Sequence, residues 1–243
     1  EGTYSPSTTG ENFPIIMLNH IDLIGAGEDV TILDAQQTGR VITMENCTNN
    51  TITDLTITGG LAEGYQDENG GGMYLLNSNP TLAHVTILDN TANSVGGGMY
   101  LDYSNPTLTH VTTTNNIAVE GGGMNLFYSN PTLSHVTISD NNTAYQGGGM
   151  NLFYSNPTLT HVTISDNTAV IGGGMKTFVS NPTLNHVTIA NNTAVYDGGG
   201  MYLDYSNPTL THVTTTNNIA VEGGGMYLDY SNPTLTHVTI ANN

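Results

Sequence analysis

The side chains best suited to chemistry in this sequence stand in columns. His84, His110, His135, His161, His186, His212 and His237 recur every 25 or 26 residues. Imidazoles at such a spacing either bind metal or stack on one another. A structural zinc site needs four tetrahedral ligands close together. The single cysteine, Cys47, lies outside the series, so the reading is a stacked, hydrogen-bonded ladder with metal as the alternative. Asn79, Asn105, Asn130, Asn156, Asn181, Asn207 and Asn232 form a second column, and Asn90, Asn116, Asn141, Asn167, Asn192, Asn218 and Asn243 a third. Amides in register bond to one another along the stacking axis and satisfy turn backbone, which is a structural role. Threonine fills two more columns, headed by Thr81 and Thr107 and by Thr86 and Thr112. Repeated Thr-x-Thr on a flat face is the pattern of a water-ordering, ice-binding surface. Outward threonine is also ordinary in β-structure, and Ala83 and Asn185 interrupt the neighbouring column.

Such columns need an element that repeats in register. The string GGGM ends at Met73, Met99, Met124, Met150, Met175, Met201 and Met226, so the spacing alternates between 26 and 25. Residues 96–124 recur letter for letter as residues 198–226, so part of the invariance is recent duplication. Each unit reads approximately GGGMYLDYSNPTLTHVTISDNTAVY. Strand alternation turns Met99 and Leu101 inward and Tyr100 and Asp102 outward. Ser-Asn-Pro ends that strand, because proline cannot donate to a ladder. Leu108, Val111 and the position shared by Ile87, Ile138, Ile164, Ile189 and Ile240 complete the core. A period near 25 with three short strands fits one coil of a parallel β-helix. Glycine and proline in every unit bar helical repeats, and a propeller blade needs ~40 residues. The expected fold is all-β: a β-solenoid of about nine coils, ~4.8 Å apart, making a rod about 40–45 Å long. Residues 1–69 read as irregular coils and residues 70–243 as regular coils of the same solenoid. The one-residue alternation falls between the Thr-Ala segment and the glycines, at a corner.

Composition narrows the function. Two basic residues, Arg40 and Lys176, face twenty acids, for a net charge of −18. Nucleic-acid binding needs a cationic footprint, and docking on anionic lipid needs the same, so both are excluded as partners. The longest aliphatic run, Ile15-Ile16-Met17-Leu18, is far too short to insert in a membrane. One cysteine gives no internal disulfide framework. Variation is concentrated on the outward face of the Met-x-Leu strand, where Phe127, Phe153 and Phe178 stack in three neighbouring coils beside Tyr128 and Tyr154. A contiguous exposed apolar stripe marks a contact surface, for polysaccharide, a neighbouring domain or another copy of the chain.

The opening EGTYSPSTTGENFPI, with DLIGAGEDVTILDA and LTITGG after it, resembles the first coils of bacterial right-handed parallel β-helix proteins of the pectate-lyase-like superfamily. GGGMY…SNPTLTHVTI…NTA is similar to repeats of polymorphic-outer-membrane-type surface proteins. The resemblance implies a right-handed β-helix at an extracellular or cell-surface location. The start inside a first coil and the uncapped stop at Asn243 give the expectation of a parent chain that continues beyond this segment. The resemblance is weak for function, since the superfamily holds both carbohydrate-active enzymes and surface stalks. Its lyases use a Ca²⁺ cluster with an Arg or Lys base, and here Arg40 and Lys176 fall in distant coils. Its glycosidases use paired acids. Asp204 and Asp229 fall in adjacent coils, outward among tyrosines and without a basic partner, so a surface Ca²⁺ contact is the candidate metal role and no cofactor is required. Near-identical coils also argue against a unique catalytic centre. The expected function is a non-enzymatic structural or adhesive solenoid, self-associating through open ends as a stalk or filament. Carbohydrate binding or degradation is the alternative and ice binding the third.

Overall fold

The computed structural model describes residues 1–64 and 68–243. Among these, every regular element is a β-strand and none is a helix. The strands pair in parallel with the equivalent residues of the next coil, as in Met99↔Met124 and Leu108↔Leu133. They form three sheets. The first, here the methionine sheet, has nine strands: Ile15–Ile16, Ile42–Glu45, Met73–Leu76, Met99–Asp102, Met124–Phe127, Met150–Phe153, Met175–Phe178, Met201–Asp204 and Met226–Asp229. One strand per coil makes nine coils, with the irregular first coils in the same sheets as the regular ones. Met99, Leu101, Leu108 and Ile138 are fully buried and Val111 nearly so, as the alternation requires.

The second, threonine sheet is bent. Thr107–Thr114 runs as one strand, but in the next coil the same stretch is divided into Thr132–Ser134 and Thr137–Ser139. The bend falls on the histidine column, where every φ is 51–54°. Each regular coil turns through four left-handed residues, for example Gly147, Tyr154, His161 and Asp166. Histidine, Asn and Asp tolerate that region better than most residues, whereas Val179, with φ 47°, is a β-branched outlier there. The third, alanine sheet runs through Thr91–Ala92, Ile117–Glu120, Asn142–Gln146 and Thr168–Ile171. Its register slips between Ala118 and Glu120 and again between Asn142 and Gln146, which absorbs the 25/26 alternation at the corner expected for it.

Two polar ladders hold the corners. The inner asparagine column is buried from Asn90 to Asn218 and exposed only at Asn243, and each buried amide does several jobs. The Asn167 Oδ1 accepts from the backbone N–H and the Nδ2 of Asn141, both at 3.0 Å, while its own Nδ2 donates to the Ile138 carbonyl and to Asn192 Oδ1. The Asn79–Asn232 column is exposed, and from Asn79 to Asn207 each Oδ1 accepts the next coil's backbone N–H at 2.5–2.7 Å. A serine ladder runs beside it, at the serine of the Ser-Asn-Pro that ends each regular methionine-sheet strand. Ser129 Oγ accepts the Ser104 N–H at 2.9 Å and donates to the Phe127 carbonyl.

The core has two soft spots. Thr113 and Thr215 occupy the isoleucine column, in register with Ile87 and Ile138 and with Ile189 and Ile240. Both are fully buried, and neither hydroxyl has a partner. Thr113→Ile removes an unsatisfied polar group and adds a methyl that the neighbouring coils already accommodate. It is expected to stabilise the protein by about 1–2 kcal/mol, read as a higher denaturation midpoint in urea.

Candidate functional site

The histidine ladder is stacked but is not the hydrogen-bonded ladder expected. Of its seven rings only His135 has a hydrogen-bond partner among the described residues, Ser134 Oγ at 2.9 Å, and the ladder is a surface feature. All seven rings are exposed, with centroids 4.7–5.1 Å apart and planes within 21° of parallel. Parallel rings aim their nitrogen lone pairs in parallel, so neighbours do not converge on one ion. Among the described residues, no three His, Cys, Asp or Glu are placed to hold a metal. The outward Thr81 column is likewise exposed on the threonine sheet.

The aromatic stripe differs from its expected form. Phe127, Phe153 and Phe178 are half-buried, and it is the column beside them that faces solvent. Tyr103, Tyr128 and Tyr154 are 52%, 39% and 36% exposed and stack face to face at 4.9–5.1 Å. The phenylalanines pack edge-on behind them, Phe127 against Tyr128 at 4.6 Å and Phe153 against Tyr154 at 4.8 Å. Since each tyrosine face is covered by the next ring, this edge presents ring rims and hydroxyls. Val179 interrupts it between Tyr154 and Tyr205, and Phe178 reaches both edge-on.

The other outward column of the methionine sheet was expected on the surface, and it is half-buried at its tyrosines and buried in its three middle coils. Asn125, Asn151 and Lys176 are 5%, 1% and 6% exposed. The chain folds sharply at the triple glycine, so side chains just before it rise as a wall along the strand, while the phenylalanines form the opposite wall. Between them lies a groove of about 210 Å³ lined by Val95, Tyr100, Glu120, Asn125, Phe127, Asn151 and Phe153. Asn151 Nδ2 donates to Glu120 Oε2 at 3.2 Å, and Asn151 Oδ1 is buried without a partner.

Lys176 also corrects the picture of Asp204. That acid was expected to lack a basic partner, but Lys176 Nζ is 3.7 Å from Asp204 Oδ2 and lies over the Phe178 ring at 4.9 Å. Asp204 and Asp229 are adjacent in register, yet Asp204 has a cation beside it already, which leaves the pair ill-suited to Ca²⁺. Burial lowers the Lys176 pKa, with Asp204 and Glu120 opposing. Burial raises that of Asp204, with Lys176 opposing. Burial, helped by Asp229 and Asp204, pushes the Tyr202 hydroxyl up to about 12. Arg40, in a distant coil as expected, donates to the Asn69 and Gly70 carbonyls and lies over the Tyr74 ring.

Asp102 provides a pH test. Its Oδ1 is buried without a partner, and burial raises its pKa. The folded state therefore favours the protonated acid. That contribution is present below the unfolded carboxylate range near ~4 and is lost as pH rises through the folded pKa. The ionised group is thus a liability at pH 7. Asp102→Asn is expected to raise stability there by less than about 1 kcal/mol, because water screens a carboxylate that is only partly buried, with the advantage over wild type shrinking below pH ~4, as measured by melts across pH.

Comparison with solved structures finds distant likenesses. The A-module of the Azotobacter vinelandii mannuronan C-5 epimerase AlgE4 is 13% identical, with TM-score 0.40, covering 98% of this chain and 86% of that one. The AlgE6 A-module is 15% identical, with TM-score 0.39, covering 100% and 89%. A trypsin-treated form of QnrB1, a plasmid-mediated fluoroquinolone resistance protein, is 12% identical, with TM-score 0.31, covering 93% and 92%. No curated protein matches the chain. The model of the right handed beta helix region matches residues 25–170 and again residues 83–243, so coils, register and repeat agree that the chain belongs to the right-handed β-helix family.

Proposed function

We propose that the chain is a non-catalytic adhesive solenoid of an extracellular or cell-surface protein, and that its tyrosine edge holds a polysaccharide. One observation carries this reading: Tyr103, Tyr128 and Tyr154 are exposed in register and backed by phenylalanines. The exposed Asn105, Asn130 and Asn156 run alongside. Their Oδ1 atoms are engaged by backbone, whereas their Nδ2 groups make no hydrogen bond to the described residues. Phenol hydroxyls and amide donors repeating once per coil suit a ligand that itself repeats. Rims of aromatic rings with a polar tip are good material for such a contact. Self-association through the solenoid ends is the interaction proposed between copies.

The test is a polysaccharide pull-down, covering neutral and acidic polymers, with the full chain and a Tyr128→Ala/Tyr154→Ala variant. The wild type is expected to bind at least one polymer, and the variant to bind it about tenfold more weakly with an unchanged fold. Equal binding by both, or none by either, removes the tyrosine edge from the function. New reducing ends during incubation would overturn the non-catalytic part.

A further inference from the structure

Lys176 is the chain's one lysine, and it is directly in register with Asn151 on the neighbouring strand. Strands so paired lie about 4.8 Å apart, well within the reach of a lysine side chain. The two residues sit on the same outward face, are 6% and 1% exposed, and lie beside the stacked rings of Phe153 and Phe178, 4.7 Å apart. Glu120 holds the Asn151 amide nitrogen at 3.2 Å. No other coil sets an amine beside a carboxamide. As they stand, the two heads are poorly provided for: the lysine has one ion pair at 3.7 Å, and Asn151 Oδ1 has no partner. A buried polar atom left unpaired costs stability, and a buried amine is held toward its neutral, nucleophilic form.

We propose that Lys176 and Asn151 join in an intramolecular isopeptide bond that staples two adjacent coils, with Glu120 moving the proton. Asp204, beside the ammonium, takes its proton and leaves a neutral amine. Rotation about the lysine side-chain bonds carries Nζ from Asp204 to Asn151 Cγ. The nitrogen lone pair attacks Cγ and forms the new C–N bond. The Glu120 carboxylate accepts a proton from Nζ and delivers it to Nδ2, the Cγ–Nδ2 bond breaks, and ammonia leaves. Ammonia recovers the proton held by Asp204 and departs as ammonium. The sum is Lys-NH₃⁺ plus Asn carboxamide giving a secondary amide plus ammonium, with no oxidant, metal or other reactant. The staple falls in the one coil whose core carries Thr177 in place of leucine and whose corner carries Val179 in place of tyrosine, where the repeat is least regular. It is independent of the tyrosine edge and its ligand.

Intact mass spectrometry of the purified full chain tests it. The expected mass is below the sequence mass by one ammonia, and Lys176→Arg and Glu120→Gln are expected at their full sequence masses. Trypsin supplies a second readout, since only Arg40 and Lys176 are cleavable. A denatured digest should be cut after Arg40 alone, and a further protease should release a branched peptide containing Asn151 and Lys176. Full sequence mass for the wild type, or ready cleavage after Lys176, overturns the proposal. So does an ammonia loss that maps to Asn69-Gly70, where succinimide formation has the same mass effect. A cross-link that persists in Glu120→Gln removes Glu120 from the step.

Discussion

Asn167→Ala is expected to cost about 3–5 kcal/mol, enough to lower the denaturation midpoint sharply. The substitution strips the acceptor from the Asn141 N–H and Nδ2 and the donor from the Ile138 carbonyl. All lie in a corner where Asn141, Asn167 and Asn192 are at most 1% exposed. Water has no access to repair the loss, so each abandoned group contributes its own desolvation cost of ~1–3 kcal/mol. The exposed asparagine column is the control. Asn130→Ala removes one acceptor, for the Asn156 N–H, and solvent replaces it, so a cost within about 1 kcal/mol is expected. Urea titration of both variants checks the contrast. Equal costs would mean that burial of the inner ladder is not what makes it matter.

The second large effect is at the glycine corner. A Cβ at Gly149 would lie 2.6 Å from the Gly174 carbonyl oxygen of the next coil and 3.0 Å from both Asn167 Nδ2 and Ile164 Cγ2. The oxygen is backbone and cannot turn aside, so Gly149→Ala has to separate two coils that bond through this same stretch, as in Met150 N–H to Gly174 O at 3.0 Å. Overpacking against a fixed neighbour costs about 3 kcal/mol or more. The damage should also spread, because each coil of a solenoid is held mainly by its neighbours. Thermal melts and limited proteolysis are expected to show a large drop in melting temperature and cleavage near this coil. A variant as stable as wild type would show that the coils can separate there without loss.

Little of the candidate site was legible in advance, and the reasons lie in particular residues. Phe127, Phe153, Phe178, Tyr128 and Tyr154 were identifiable as neighbours because period and register place them so. Which of them faces solvent depends on the left-handed corner, where φ values of 46–51° swing Tyr128 and Tyr154 outward and leave the phenylalanines behind them. Strand alternation placed Lys176 on the outward face, in a coil distant from Arg40. Its burial follows from walls built by other columns, Glu120 before the glycines among them, and strand alternation carries no information about those walls. The repeat did carry one usable signal: a single coil reads Met-Lys-Thr-Phe-Val where its relatives carry Leu and Tyr, and that coil holds the lysine pair.

The sequence by itself determined the architecture. A period of 25 or 26 residues with alternating apolar positions and proline-ended strands allows one arrangement that buries Met, Leu, Val and Ile together, and stacking then follows from backbone hydrogen bonding. The identity of each ladder followed too, since equivalent positions must superpose. Tertiary structure alone decided which ladders are buried, which ring faces are open, and that Lys176 is buried against Asp204. Those outcomes depend on a few degrees of backbone at four corners per coil and on the size of side chains from separate columns. A one-dimensional period fixes neither.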